Sequence, residues 1–162
     1  MILIDPFTFP RSKCYDVRVI DGDTIACNVV HSTLKSIDGD QEIVLKSTIR
    51  LIRIDAPEKR TSAGTLLKMF LTKLLATASK IEVEGVKKDI YGRVLGEMYV
   101  TSPLLAEGAH GDDRVIGPIN LSDWFLSYGV VMSADKRVQR TASEEMIEEK
   151  NIQRLFNKYH LL

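Results

Sequence analysis

Cysteine, tryptophan and long apolar runs are scarce in this chain of 162 residues. The two cysteines, Cys14 and Cys27, match no metal-ligand spacing, so neither a disulfide framework nor a zinc site is expected, and buried free thiols are predicted. No run of about 18 apolar residues occurs, which predicts that no segment crosses a membrane. Residues 1–13 lack the basic and then apolar order of a secretory signal, so an intracellular protein is expected.

Charge is unevenly distributed along the chain, although the totals balance at 22 basic and 22 acidic residues. Residues 46–93 hold 11 basic and 5 acidic side chains, a net charge of +6, so the remaining residues carry −6. A basic middle can attract nucleic acid despite a neutral total. A second explanation stays open, because lysines also solvate helices and strand ends in proteins that bind no polyanion.

Hydrophobic periodicity predicts an α+β fold of five short strands and about three helices. The length suits one domain over residues 1–162, with a core at residues 14–132. Short strands come first, and helices lie between and after them; this order favours a small antiparallel barrel with helices packed on it. The strands are predicted at residues 15–20, 24–30, 48–54, 80–86 and 93–100, the helices at 62–79, 121–128 and 141–160, and a surface loop at 101–119.

Two features of the predicted helices have structural explanations. Trp124 repeats with Leu121 and Tyr128 at helical spacing, which favours core packing over base stacking. The last helix carries four glutamates early, where the helix macrodipole favours acids: Glu144, Glu145, Glu148 and Glu149.

The segment IRLIRIDAPE, residues 49–58, places charges where a strand normally buries apolar side chains. Arg50 and Arg53 lie inside the predicted strand, and Asp55 and Glu58 follow at its end. Unpaired charges inside a strand are costly. Carboxylates can bind a hard cation and arginine can grip a phosphate, so the segment predicts a site for a metal and an anion together.

Several oxygen atoms could complete such a site. Asp23 lies in the DGD turn after the first strand, and Asp55 ends the third, so backbone geometry directs both carboxylates. Pro57 favours an extended Ala56, whose carbonyl then turns outward. Glu58 would lie near the ion and orient or deprotonate water, although an acid at a helix start explains it as well.

Strand alternation decides which arginine can face this site. Arg50 falls on the side of Ile52 and Ile54, and Arg53 on the opposite side, so only one of them can point into a shared site. Arg93 follows a tight turn that could aim its guanidinium at the same phosphate, with a planar donor fork that stays charged. Taken singly, each arginine is more often a surface ion-pair partner.

The order of four segments resembles the staphylococcal nuclease (thermonuclease) family. They are VIDGDT at 19–24, RLIRIDAPE at 50–58, DIYGR at 89–93 and the helix NLSDWFLSYGVV at 120–131. Spaced motifs in one order are more specific than any single motif. The resemblance covers residues 15–132 and implies an OB-fold barrel with packed helices. It also implies a calcium-dependent phosphodiesterase that acts on DNA and RNA.

The resemblance implies a metal site in the first half of the chain. Asp23, Asp55 and the carbonyl of Ala56 correspond to the Ca²⁺ ligands. Asp21 corresponds to an acid just outside the coordination shell, where such partners orient the ligands. Calcium is therefore the expected cofactor.

The resemblance also implies which side chains act on the substrate. Arg50 and Arg93 correspond to the arginines that hold the scissile phosphate, Glu58 to the proposed general base, and Tyr91 to a nucleotide-contacting tyrosine. Ile90 stands where well-known members have lysine, and no tyrosine follows Gly129 to cap the nucleotide. A weaker grip on phosphates away from the scissile bond is expected.

The sequence therefore predicts a monomeric calcium-dependent nuclease that hydrolyses DNA and/or RNA and has no membrane partner. One rival is a non-catalytic module that binds nucleic acid or protein, since related domains without the metal acids serve as docks. The retained acids and arginines favour the enzyme. Another is an adaptor that works through the acidic last helix, testable by removing residues 143–162.

Overall fold

The computed structural model describes residues 4–107, 117–135 and 139–161. These ranges contain eight strands and four helices. The strands are β1 (Phe9–Asp21), β2 (Thr24–Leu34), β3 (Gln41–Leu51), β4 (Ile54–Asp55), β5 (Lys80–Lys88), β6 (Val94–Thr101), β7 (Ile119–Asn120) and β8 (Met132–Ser133). The helices are α1 (Ser62–Ala76), α2 (Pro103–Glu107), α3 (Leu121–Tyr128) and α4 (Ala142–Lys158).

Five long strands form a closed barrel. β1 pairs antiparallel with β2 and β5, β2 with β3, and β5 with β6. The barrel closes where β3 runs parallel to β6, so the pairing is mixed rather than wholly antiparallel. β7 extends the edge at β6, and β4 pairs with β8 in a separate short ribbon. The predicted α+β fold of OB type is confirmed.

The third predicted strand is wrong at its end. β3 stops at Leu51, and Arg53 has a φ of 71°, in the left-handed region that side chains other than glycine seldom adopt. The chain then forms the short β4, which Asp55 ends. Because this break interrupts the alternation, exposed Arg53 does not share a face with buried Ile49 and Leu51.

The helices begin and end with local capping interactions. The hydroxyl of Thr61 accepts the backbone N–H of Gly64 at the start of α1. Thr141 and Glu144 form a capping box at the start of α4, and Gly129 ends α3 with a φ of 67°. These bounds confirm the predicted second and third helices. Among the described residues no helix is both long enough and apolar enough to cross a membrane.

The predicted surface loop at residues 101–119 is partly wrong. Thr101 still belongs to β6, and α2 follows immediately. The hydroxyl of Ser102 accepts the N–H of Leu104, and the side chain of Leu105 is fully buried, so this short helix covers part of the core. The remainder of the predicted loop, residues 108–116, lies outside the described residues.

The core lies inside the barrel and between the barrel and its helices. Trp124 stacks on Phe70 at 5.8 Å between ring centroids, and Phe70 also meets Phe156 edge-on at 5.7 Å. α1, α3 and α4 thus share one aromatic cluster, and the structural role predicted for Trp124 is confirmed. Cys14 and Cys27 are buried free thiols, as predicted.

Candidate functional site

Asp23 lies in the turn between β1 and β2 and is buried. Its Oδ1 accepts the hydroxyl of Thr24 at 3.0 Å. Its Oδ2 accepts the backbone N–H of Ala56 at 3.0 Å and lies 3.3 Å from Nη2 of Arg50. The carboxylate therefore joins the first hairpin to the segment that follows β4.

Gly22 allows this hairpin to approach the rest of the protein closely. A Cβ at this position would overlap the side chain of Leu67 on α1 and crowd that of Ala56. The turn is therefore packed between α1 and the segment after β4. A substituted side chain here would push the neighbouring Asp23 away from its partners.

Arg50 connects the two predicted metal aspartates. Its Nη2 lies 3.3 Å from Asp23 Oδ2 and 3.6 Å from Asp55 Oδ1. Its Nη1 donates to the carbonyl oxygens of Leu51 at 2.7 Å and Ile54 at 3.0 Å. These contacts fix the guanidinium plane and place Arg50 beside both carboxylates, so Arg50 is the arginine of the two that faces this site.

Arg53 belongs to a different network. Its guanidinium forms a two-pronged pair with Glu97 at 2.6 and 3.1 Å and a further pair with Asp123 at 2.6 Å. The hydrogen bonds with Glu97 and Asp123 raise the pKa of Arg53 above its ordinary value. Arg53 thus ties the β3–β4 junction to β6 and α3, which explains this strand-end charge structurally.

Arg140, which the sequence analysis did not single out, reaches the same site from the start of α4. Its Nη2 donates to the carbonyl of Asp55 at 2.7 Å, and its Nη1 donates to the carbonyl of Ala56 at 3.2 Å. Nη1 also lies 3.6 Å from Asp55 Oδ2. The only sequence signal is an arginine directly before the capping threonine of α4, and this does not reveal its partners.

Glu148 holds Arg140 in place. Its carboxylate accepts Nε at 2.6 Å and Nη2 at 3.1 Å, and its side chain is 5% exposed against 10% for Arg140. Burial raises the pKa of Glu148, and the Arg140 guanidinium opposes that shift without cancelling it. The helix macrodipole alone therefore does not explain Glu148, because its side chain turns inward to a buried guanidinium.

The oxygen atoms around this cluster suit a hard divalent cation. Asp21 and Asp23 come from one hairpin and Asp55 from β4, and Oδ1 of Asp21 is buried without a hydrogen-bond partner among the described residues. The carbonyl of Ala56 already accepts Arg140 but keeps a second lone pair. Within the described ranges no three acidic, histidine or cysteine side chains form a ready-made metal cluster. Water would therefore have to complete a Ca²⁺ shell.

Glu58 lies in the turn between β4 and α1 with its side chain exposed. Its carbonyl accepts both the N–H of Thr61 at 2.9 Å and the hydroxyl of Thr61 at 2.7 Å. Gly64 packs so closely on this turn that a Cβ there would overlap the Glu58 carbonyl. The backbone of Glu58 is thus fixed while its carboxylate faces solvent.

The second part of the predicted site is the turn before β6. Oδ1 of Asp89 accepts the N–H groups of Tyr91 at 3.0 Å and Arg93 at 2.7 Å, and Oδ2 accepts Nε of Arg93 at 2.7 Å. Gly92 adopts a φ of 80°, which the tight turn requires. Cζ of Arg93 lies 5.4 Å from the centre of the Tyr91 ring, which is 77% exposed. The terminal nitrogens of Arg93 make no hydrogen bond within the described part of the chain.

The carboxyl of Asp89 responds to opposing influences. Burial raises its pKa, but the hydrogen bonds from Arg93 and Tyr91, together with the charge of Arg93, outweigh burial and leave the pKa below the ordinary value of 3.8. Asp89 is therefore a charged anchor for the turn at neutral pH. In the sequence Asp89 is only the first residue of the DIYGR segment, and its hydrogen bonds to Tyr91 and Arg93 are a property of the folded turn.

The seam between β3 and β6 relates the two parts of the site. Leu95 pairs with Arg50, and Val94, the residue after Arg93, pairs with Ile49. The structure thus brings together Asp23, Arg50, Asp55 and Ala56 by direct contact. It places the Arg93 turn at the start of the adjoining strand.

The sequence was compared with models of known protein families. The family model described as "Staphylococcal nuclease homologue" matches residues 48–153, which is more than half of the chain. The chain belongs to this family. The resemblance inferred from the ordered motifs is therefore confirmed.

Two curated relatives carry matching descriptions. An "Uncharacterized endonuclease" of Escherichia coli is 36% identical over 83 residues, which are 51% of this chain and 45% of that protein. The protein of the same description from Escherichia coli O157:H7 has the same identity and coverage. The chain thus spans about half the length of the curated relatives that it matches.

The matched range of the nuclease family includes most of the site. Arg50, Asp55, Glu58 and Arg93 lie within residues 48–153, and so does Arg140. The hairpin that carries Asp21 and Asp23 precedes this range. The structure joins that hairpin to the family segment through the contacts of Asp23 with Ala56 and Arg50.

Proposed function

We propose that this protein is a calcium-dependent, largely sequence-non-specific nuclease that hydrolyses phosphodiester bonds of DNA and/or RNA. The observation that carries the proposal is the Arg50 guanidinium, which lies between Asp23 and Asp55 in a member of the staphylococcal nuclease homologue family. This combination places a cation site beside a guanidinium that can donate hydrogen bonds to a phosphate. Reactions at phosphorus use this pairing of a cation with fixed cationic donors.

Arg50 and Arg93 would bind the scissile phosphate. Among the described residues the Arg93 side chain is anchored through Nε alone, so its terminal nitrogens remain as a donor fork for two phosphate oxygens. Nη1 of Arg50 is held by two backbone carbonyls, so Nη2, which faces Asp23 and Asp55, and Nε are the donors that would turn to the phosphate. Fixed donors of this kind stabilise negative charge that develops on the phosphate in the transition state.

Asp23, Asp55 and the carbonyl of Ala56 would hold Ca²⁺, with Asp21 beside them. The bound ion would supply positive charge that polarises the phosphate and lowers the cost of the attack. Glu58 would orient or deprotonate the attacking water, since its carboxylate is exposed on a rigid turn next to these ligands. The 5′ O–P bond would break and leave a 3′-phosphate, as the resemblance implies.

The substrate contacts expected here involve the backbone of the nucleic acid more than its bases. Tyr91 offers an exposed ring on which any base can stack, which favours single strands without selecting a sequence. Binding through arginine and phosphate should weaken steeply with salt. These features support a broad substrate range.

The proposal is tested with single-stranded DNA and RNA incubated with Ca²⁺ or with a calcium chelator. Cleavage is expected with Ca²⁺ only, and Glu58→Ala and Arg93→Ala should each lower kcat by about a hundredfold or more. Glu42→Ala and Arg154→Ala serve as matched controls, because both side chains are exposed on other elements. The controls should cleave at the wild-type rate.

Each other outcome has a defined meaning. Equal cleavage by all variants, or cleavage in chelator, would place the activity elsewhere or in a contaminant. Binding of the strands without cleavage would favour the rival, a non-catalytic nucleic-acid-binding module. The retained acids and arginines weigh against that rival, because related domains that serve as docks lack the metal acids.

A further inference from the structure

A groove lies between β1, α1 and the start of β5, and none of the candidate site residues lines it. Its volume is about 660 Å³. Apolar side chains form much of its lining, among them Val17, Leu75 and Ala78. Four cationic side chains also line it, Lys13, Arg18, Lys68 and Lys80, against one acid, Asp16.

These cations are largely uncompensated. Among the described residues no ion pair joins Lys13, Arg18 or Lys68 to a carboxylate, and Lys80 has only a loose pair with Glu82 at 3.6 Å. The one acid, Asp16, instead accepts a hydrogen bond from the side chain of Asn28 at 3.3 Å. A concave surface with excess positive charge concentrates a polyanion.

An aromatic side chain stands among the cations. Tyr15 lines the groove and is 39% exposed. Its ring lines the same groove as the lysines and offers a partly exposed face on which a base could stack. Proteins that bind single-stranded nucleic acid combine a basic groove with aromatic rings on which bases stack.

The groove leads toward the candidate active site. It follows β1 from Lys13 to Val19, a distance of about 20 Å at the rise of a strand. Val19 is two residues before Asp21, and Lys68 follows Leu67, which packs on the turn that carries Asp23. A second groove of about 470 Å³ shares Arg18 with the first.

We propose that this groove binds the backbone of the same single-stranded polynucleotide whose scissile bond lies at the active site. The inference rests on the proposed nuclease function and adds an extended binding track to it. An acidic peptide would also match the charge, but it would not use a stacking ring or the continuity with a phosphodiester site. The nucleic-acid strand is therefore the occupant that the surface fits.

The test measures binding of a fluorescent thymidine oligonucleotide of about 20 nucleotides by anisotropy, in chelator and over a range of KCl concentrations. The variant replaces Lys13, Arg18 and Lys68 by glutamine. Loss of three phosphate contacts should reduce the slope of log affinity against log salt by about 2 and weaken binding tenfold to a hundredfold near 0.1 M salt. A second variant, Tyr15→Ala, should weaken binding about tenfold without changing the slope.

The matched control removes three positive charges elsewhere, with Lys35, Lys150 and Arg154 replaced by glutamine. These exposed side chains lie outside both grooves. The control should keep the wild-type salt slope. Circular dichroism and thermal melting of both variants confirm that each is folded.

A cleavage assay separates this inference from the proposed function. The ratio of kcat/KM for a long strand to kcat/KM for a thymidine dinucleotide should fall at least tenfold in the groove variant and stay constant in the control. A constant ratio, an unchanged salt slope, or stronger competition by polyglutamate than by the oligonucleotide would overturn the inference. A wild-type protein that binds the strand in the groove and cleaves nothing would refute only the nuclease.

Discussion

The two halves of the candidate site are built in different ways. The aspartate cluster draws on four parts of the chain: the first hairpin, β3, the β4 segment and the start of α4. The Arg93 turn is built within five residues, from Asp89 to Arg93. Cluster contacts span up to 85 positions in sequence, and turn contacts span four.

This contrast indicates where each half is vulnerable. The cluster depends on a buried guanidinium that is held by a buried carboxylate, so loss of one partner leaves an uncompensated charge. The turn is partly exposed and supported by local hydrogen bonds, and water can replace these bonds when they are lost. We therefore expect substitutions at Arg140 and Glu148 to lower the stability of the protein. Substitutions at the exposed side chains of the turn should weaken substrate binding or cleavage.

The largest expected effect is that of Arg140→Ala. It leaves Glu148 buried and unpaired, so the free energy of unfolding should fall by about 3 kcal/mol. Urea denaturation measures this change, with Arg154→Ala on the same helix as a control that should stay within about 0.5 kcal/mol. The double change Arg140→Met with Glu148→Leu should recover most of the loss. A loss below about 1 kcal/mol for the single variant would contradict the buried-pair account.

The next effect concerns the packing of the Glu58 turn. Gly64→Ala introduces a methyl group that overlaps the Glu58 carbonyl, so the turn must shift, and a loss of about 2 kcal/mol is expected. Gly117→Ala is the control, because a Cβ there meets nothing within 4 Å. Urea denaturation compares the two. Equal stability of both variants would show that the turn adapts freely and is not fixed by α1.

Two carboxyls should give the halves opposite pH dependence. The lowered pKa of Asp89 means that its stabilising contribution is present above its ordinary value of 3.8 and is lost as pH falls through the lower folded value. The raised pKa of Glu148 means that stability is fully present below its ordinary value of 4.5 and is lost as pH rises through the higher folded value.

Unfolding free energies measured across the acid range check these signs. Asp89→Asn should flatten the loss of stability toward low pH, and Glu148→Gln should flatten the loss toward neutral pH. The two substitutions should change the slope of unfolding free energy against pH in opposite directions. The same sign for both would mean that the two carboxyls do not titrate in the way their surroundings indicate.

The smallest effect on stability is expected for Tyr91→Ala. The ring is largely exposed, so the free energy of unfolding should change by less than about 0.5 kcal/mol. Binding of a dinucleotide should weaken about tenfold if the ring stacks on a base. Ile90→Ala, at the still more exposed neighbouring position, should leave both quantities unchanged. A comparable loss of affinity in both would assign the effect to the turn as a whole.

Much of the fold could be predicted because its signals are local. The glycine that ends α3, the capping threonine of α4 and the turn composition before β2 each specify backbone geometry within a few residues. The end of β3 could not be predicted. Arg53 takes a left-handed conformation where its pairs with Glu97 and Asp123 hold it, and both partners are distant in sequence.

The site was predictable to a similar extent. The resemblance grouped Arg50 with Asp23 and Asp55, and the structure shows contacts among the three, whereas residue alternation left open which arginine faces the aspartates. Arg140 was missed, because nothing around it distinguishes it from a surface arginine. Its importance comes from its buried pair with Glu148, which the sequence presents only as one of four acids early in a helix.

The sequence by itself determined the order of the five barrel strands and of α1, α3 and α4, the turn that carries Asp23, and the identity of the acids and arginines available for chemistry. These follow from side-chain type and short-range spacing, which act before the chain is folded. Only the tertiary structure decided that Arg140 holds the Asp55 segment and that the groove beside β1 runs toward that site. Both depend on contacts between elements far apart in the chain, where burial sets the strength of a charge interaction.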